Sequence, residues 1–226
     1  MEDVKIAVIG STGRTGRLVL DEGIRRGYAM TAFTRRPVNL AGVQGLNAVV
    51  SGDARNLEDV RRAVYGQDAV ISIVSSEGSG PTTVMSDVMR AEVAAMRAEG
   101  VRRLVVVSVS AIEGRRPWIL INLVRWFLRK PYADFGRMER LVRESRLDWT
   151  IVRPPRLTNG SATGRVRSVA GVKELPYGPY SITRADLAGT LLDLAEGTNN
   201  FGEVLLVSAA SRRGDGVRAS TARTEP

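Results

Sequence analysis

Residues 4–16 read Val4-Lys5-Ile6-Ala7-Val8-Ile9-Gly10-Ser11-Thr12-Gly13-Arg14-Thr15-Gly16. An apolar, β-rich run stops at a glycine. Two more glycines follow at intervals of three, and a helical pattern takes over across 15–26. A strand that turns through glycines into a helix exposes that helix's first N–H groups, together with the partial positive charge of its N-terminus. The missing side chains let a pyrophosphate come close to the backbone. The spacing is G-x-x-G-x-x-G and departs from the G-x-G-x-x-G dinucleotide fingerprint. The weight therefore rests on the strand–turn–helix setting, at the head of a chain that goes on alternating.

Outward from this turn, strands are expected at Val4–Ile9, Met30–Thr34, Ala48–Ser51, Ala69–Val74, Arg103–Ser108, Trp149–Arg153 and Val204–Ser208. Helices fit between them at Thr15–Arg26, Leu57–Tyr65, Val84–Glu99, Asp134–Ser145 and Arg184–Glu196. The continuously apolar Leu104-Val105-Val106-Val107 suits a central parallel strand covered on both faces. The alternation predicts an α/β fold, a Rossmann-type doubly wound parallel sheet whose ligand edge lies at the strand C-termini. Residues Pro154 to Pro179, rich in Gly and Pro, are expected to form a small C-terminal cap. The chain divides into a single domain over 1–210 and a tail over 211–226, rich in Arg, Ser, Thr and Gly, which is expected to be disordered.

The 226 residues suit one domain of this kind. Neither Cys nor His occurs, which excludes disulfides, thiolate catalysis, His-based acid–base chemistry and the usual zinc ligands, so no metal site is expected. No secretion signal is evident, and the apolar stretch Trp118–Leu128 is too short to span a bilayer. A cytoplasmic location and no membrane association follow as expectations. The formal net charge of +9 fits an arginine-rich background or attraction to polyanionic small molecules. No nucleic-acid partner is expected, because no basic run is interleaved with aromatics.

The turn Gly10–Gly16 resembles the G-A-T-G-x-T-G turn of the atypical short-chain dehydrogenase/reductases. Four further stretches resemble the biliverdin-IXβ reductase (NADPH flavin reductase) branch of that family. They are Gly66-Gln67-Asp68-Ala69-Val70-Ile71, Pro81-Thr82-Thr83-Val84-Met85-Ser86, Val93-Ala94-Ala95-Met96 and Leu141-Val142-Arg143-Glu144-Ser145. The resemblance covers roughly residues 4–208 and implies a bound NADP(H). The second strand ends Thr34-Arg35-Arg36, with basic residues where an NAD-specific protein carries an acid. Arg35 and Arg36 are thus candidates for the 2′-phosphate of NADPH. Arg14 is a further candidate facing the adenosine phosphates. The resemblance also implies that Asp53, with Ala54 beside it, meets the adenine; a turn or helix-cap role for Asp53 is the alternative. Val74, Ser75 and Ser76 are expected along the ribose and pyrophosphate path.

Tyr132 is followed four residues later by Gly136, so the Tyr-Lys pair of carbonyl-reducing relatives is missing. Ser108 and Ser110 close the fifth strand and are the candidates at the nicotinamide, unless they only satisfy local backbone. Phe135 takes the place of the family's active-site histidine, which makes the pocket more apolar. Pro154 and Pro155 fix an extended path that, by the resemblance, passes the nicotinamide. Arg156 beyond them is a candidate for an anionic substrate. Trp118 belongs to a segment expected to be a helix, acting either as a lid over the substrate mouth or in packing. The resemblance implies an NADPH-dependent reductase that transfers hydride to a flavin or similar planar conjugated acceptor, with FMN or FAD as a loosely held substrate. The alternative is a non-catalytic NADP(H) sensor of the NmrA-like type, since the family also holds such members. A small-molecule substrate and a monomer or weak dimer complete the expectations.

Overall fold

The computed structural model describes residues 3–74, 83–109, 133–171 and 180–210. In chain order they form β1 (Lys5–Ile9), α1 (Arg14–Arg25), β2 (Ala29–Thr34), a 3-10 turn (Pro37–Leu40), β3 (Ala48–Ser51), α2 (Leu57–Val64), β4 (Ala69–Ser72), α3 (Val84–Ala98) and β5 (Arg103–Val107). Then come α4 over 133–144, β6 (Asp148–Arg153), β7 (Arg156–Thr158), β8 (Val166–Ala170), β9 (Ser181–Thr183), α5 (Arg184–Glu196) and β10 (Glu203–Ala209). Ser75, Ser76, Ser110 and Trp118, the Trp118–Leu128 segment and the tail over 211–226 lie outside the described residues.

The main sheet has the order β3-β2-β1-β4-β5-β6-β10-β8. Its first seven strands are parallel, and only β8 runs against its neighbour β10. The order reverses at β1, which pairs with β2 on one side and β4 on the other, and this opens a crevice at the strand C-termini.

Alternating side chains feed two apolar layers. Ile6, Val8, Ile71, Val105 and Val152 meet Val19 and Leu20 of α1 and Leu187 and Leu191 of α5. Ala7, Ile9, Val70, Leu104, Val106 and Ile151 meet Val60 of α2, Met85, Met89 and Met96 of α3, and Met138 and Val142 of α4. This burial on both faces is why the central strands read as continuous apolar runs.

The segment expected as a cap divides. Leu157 pairs with Ile182 in a small separate sheet of β7 and β9, whereas β8 joins the main sheet as its outer edge. The half-exposed pattern of Val166-Arg167-Ser168-Val169-Ala170 gives β8 little apolar signal, and its partner lies more than thirty residues further along the chain. Two strands also end earlier than expected. β4 stops at Ser72 and β5 at Val107: Ile73 makes a last bond to the Ile9 carbonyl and then, with Val74, lines the crevice, while Ser108 makes a last bond to the Val152 carbonyl and turns its side chain toward α4.

Candidate functional site

β1 delivers the chain to the crevice, and Gly10 turns it there with φ +87°, a conformation that favours glycine. A side chain at Gly10 would collide with the Ile73 carbonyl, and one at Gly16 with the Gly10 carbonyl. These two glycines serve the turn itself. Gly13 differs: it is exposed, it N-caps α1, and a Cβ there would meet only the Gly10 carbonyl, at 3.3 Å. A side chain at Gly13 would instead project into the crevice.

The helix ends point the same way. In α2, the Asn56 side chain accepts from the Glu58 and Asp59 N–H groups, and in α5 the Thr183 hydroxyl accepts from Asp186 N–H. The N-terminus of α3 is closed by the Asp134 carboxylate of α4, which accepts from Met85 N–H at 3.0 Å and Ser86 N–H at 3.3 Å. In contrast, α1 has no side-chain cap and no acid in its first turn. Its first N–H groups and positive dipole end face the crevice without an anion of the protein's own.

A cleft of about 340 Å³ runs from this turn across the ends of β1 and β2. Gly10, Thr12 and Gly13 form one end, Arg35, Asp53 and Ala54 the other, and Ile9, Phe33, Val74 and Val88 give it apolar walls. The arrangement fits an adenine dinucleotide: a backbone cradle for the pyrophosphate, an apolar slot for a flat ring, and a guanidinium beyond it.

Several sequence-derived residues meet here. Arg35 lines the cleft, while Arg36 stands exposed beside it and gives its backbone N–H to Thr34 Oγ1. Ser11 and Thr15 are buried within the turn, and the Ser11 hydroxyl donates to the Phe33 carbonyl at 2.7 Å, tying the turn to β2. Asp53 reaches the cleft, but Arg55 holds its carboxylate through both oxygens. That hydrogen-bonded ion pair keeps the carboxyl down at about 2. Arg14 is exposed in the first turn of α1, Pro154 is buried, Pro155 is half-buried and Arg156 is exposed at the start of β7.

Ser108 sits in a network that sequence reasoning missed. It is buried at the end of β5 and donates to Glu139 Oε1 of α4 at 2.7 Å. Arg153, at the end of β6, clasps the same carboxylate with bonds of 2.8 and 2.6 Å, and Arg143 adds a third at 3.1 Å. Burial works against the charge on Glu139, yet Arg153, Ser108 and Arg143 together hold its carboxyl below the ordinary value. The Ser108 proton is thus committed to a structural carboxylate. The signal lay in helical spacing: Phe135, Met138 and Val142 form the apolar stripe of α4, and Glu139 falls inside it.

Comparison with known proteins agrees with this geometry. The profile of the NAD(P)H-binding family matches residues 10–198. The chain is 30% identical over 226 residues to the (4-alkanoyl-5-oxo-2,5-dihydrofuran-3-yl)methyl phosphate reductase of Streptomyces griseus, covering 97% of this chain and 71% of that one. It is 29% identical to UPF0659 protein YMR090W of Saccharomyces cerevisiae, covering 85% and 87%. In fold it matches ChuY, an anaerobillin reductase of Escherichia coli O157:H7, with a TM-score of 0.75 at 20% identity over 90% of this chain and 96% of that one. It also matches a short-chain dehydrogenase/reductase of Veillonella parvula in complex with NADP, with a TM-score of 0.74 at 17% identity over 92% and 95%. From its glycine turn to the end of α5, this chain belongs to the NAD(P)H-binding family, an oxidoreductase group with reductases among its members.

Proposed function

We propose that the protein is an NADPH-dependent reductase whose acceptor is a planar conjugated molecule, with a flavin as the first candidate. The observation that carries this reading is the cleft itself, which leads from an uncapped helix N-terminus at Gly13 to Arg35 with no acid at the end of β2. Arg35 suits a 2′-phosphate because its planar fork of donors matches phosphate oxygens. The Streptomyces relative is named as a reductase of a phosphate ester, which supports a reductive reading with an anionic acceptor.

Bound NADPH would supply a hydride. The chain's own task is to hold the two flat rings in contact and keep them oriented, which by itself accounts for large rate factors. Gly10, Gly13 and the first N–H groups of α1 would hold the pyrophosphate. Ile9, Phe33 and Val88 would press on the adenine, and Arg35 would fix the far phosphate. The Pro154–Pro155 backbone, anchored by the Arg153–Glu139 pair, would guide the nicotinamide. A flavin receiving hydride can take its proton from water, so this inventory needs no protein acid.

A preference for NADPH over NADH of tenfold or more, about 1.4 kcal/mol per decade, is expected in dissociation constants measured by calorimetry. Arg35→Asp should erase most of it, and equal constants in the wild type would remove the assignment. Consumption of NADPH with FMN tests the acceptor. The second reading is a dinucleotide sensor without turnover. It is favoured by the burial of Ser108, whose hydroxyl is already spent on Glu139. Tight NADPH binding without flavin-dependent oxidation would decide for the sensor.

A further inference from the structure

Arginines along α1 and α5 have mostly found a partner that explains them. Arg25 and Arg26 pair with Glu22, and Arg26 also reaches Asp193 at 2.5 Å. Arg103 is buried and bonds neutral oxygens, but there it closes the C-terminal end of α5 by donating to the Leu194 carbonyl, and it lies 4.8 Å over the Phe201 ring.

Arg184 has no such explanation. It is the first residue of α5 and is half-buried. Its Nη1 donates to Asn159 Oδ1 at 2.8 Å and, at the limit, to the Leu157 carbonyl at 3.5 Å. Both acceptors are neutral. Among the described residues no acidic side chain pairs with Arg184 or with Arg14.

The packing brings together the two helices that these cations open. Helices α1 and α5 run side by side in the same direction. Leu18, Glu22 and Arg26 form one wall of a groove, Ala185, Gly189 and Asp193 form the other, and Arg26 crosses to Asp193. Both helices therefore begin at the strand C-terminal edge, where Arg14 opens α1 and Arg184 opens α5. Burial, and then the charge of Arg14, push the Arg184 guanidinium below its ordinary value. Two cations at neighbouring helix starts, one of them half-buried and bonded only to neutral oxygens, give this edge a positive field that favours an anion. The uncapped end of α1 adds its own positive field at that spot.

We propose that Arg14 and Arg184 form a clamp for a phosphate-type anion, with Arg184 as the jaw that Asn159 holds in place. The identity of the anion's carrier rests on the reductase reading. It is either the diphosphate of the dinucleotide or an anionic group on the acceptor, such as the phosphate of FMN. The clamp brings Arg184 into substrate or cofactor recognition from a helix that the glycine turn does not include.

The test uses the full chain and the single variants Arg184→Gln and Arg14→Gln. Inorganic pyrophosphate, compared with chloride at matched ionic strength, should raise the melting temperature of the wild type. Each variant should lose at least about half of that rise. Equal rises in all three proteins overturn the clamp. The carrier is then read from two constants. About a tenfold rise in KM for FMN, with KM for uncharged riboflavin and Kd for NADPH unchanged, assigns the anion to the acceptor. About a tenfold rise in Kd for NADPH assigns it to the dinucleotide. If the wild type turns over no flavin, the flavin reading falls, and the pyrophosphate and NADPH measurements still decide the clamp.

Discussion

Gly13 and Gly16 stand one helical turn apart and answer to different constraints. At Gly16 a methyl group would strike the Gly10 carbonyl, so Gly16→Ala should lower the melting temperature sharply. At Gly13 a side chain would press on the Gly10 carbonyl at 3.3 Å, a tight contact that a small shift of the turn can relieve, so Gly13→Val should fold with a smaller loss of stability than Gly16→Ala and lose NADPH binding, by melting and calorimetry together. An unchanged Kd in a folded Gly13→Val protein would remove the turn from the site. Glu92 gives a second residue-scale test. It is fully buried on α3, its Oε1 accepts from the Ser72 hydroxyl at 3.0 Å, and its Oε2 has no partner. Burial pushes its carboxyl from 4.5 up to about 8. The unfolded chain gives up this proton first, so the group costs progressively more stability as pH rises from about 4.5 to about 8, and the cost then levels off. Glu92→Gln removes that slope, and its advantage over the wild type in urea unfolding should grow between about pH 5 and pH 8. Parallel curves would show that Glu92 does not titrate there. Spacing alone marks this residue, since Met85, Val88, Met89 and Met96 make the apolar stripe around it. Spacing does not reveal Ser72 as its partner, because that contact exists only after α3 has packed on β4.

Among the elements, α3 depends on a neighbour for its start. The Asp134 carboxylate of α4 does the work of an N-cap for α3, and Val84 and Val88 in the first turns of α3 line the cleft. Asp134→Ala should cost about 1–2 kcal/mol of stability and also weaken NADPH binding, because the released helix end is a wall of the site. A stability loss with Kd unchanged would separate the cap from the cleft. The middle of α4, where Glu139 meets β5 and β6, offers a graded comparison. Ser108→Ala removes one bond from Glu139 and should cost about 1 kcal/mol in urea unfolding. Glu139→Ala removes the buried carboxylate that Arg153, Ser108 and Arg143 all bond, and should cost more, about 3–5 kcal/mol. Comparable losses in the two variants would mean that the network does not hold its charge. Elements with a strong apolar signal, the continuous run of β5 and the helical stripe of α3, were legible in the chain. The division of 154–171 was not, because β8 gains its place from pairing with β10 and has little propensity of its own.

For the whole molecule, the absence of His and Cys leaves few groups able to titrate near neutrality. Asp53, the carboxylate of the described cleft, is held at about 2 by Arg55, and Glu139 is held ionised by Arg153. The turnover number with FMN should therefore be nearly flat from about pH 6 to about pH 8, whereas a bell-shaped profile would expose a missed acid–base group. No helix among the described residues is long and apolar enough to cross a membrane. The doubly wound order was legible because each strand–helix–strand unit carries its own pattern and right-handed crossovers leave few alternatives. The Ser108–Glu139–Arg153 and Arg14–Arg184 groupings were not legible, since each joins residues from separate units. The sheet order bears also on how the chain is made. β10 lies between β6 and β8, yet it leaves the ribosome after both. Until Glu203–Ala209 have emerged, β6 stands as a raw edge and β8 has nothing to pair with in the main sheet. The sheet beyond β6 can only be completed late in synthesis, by a strand threaded in as a keystone. A nascent chain halted near residue 200 would offer that edge to chaperones and proteases.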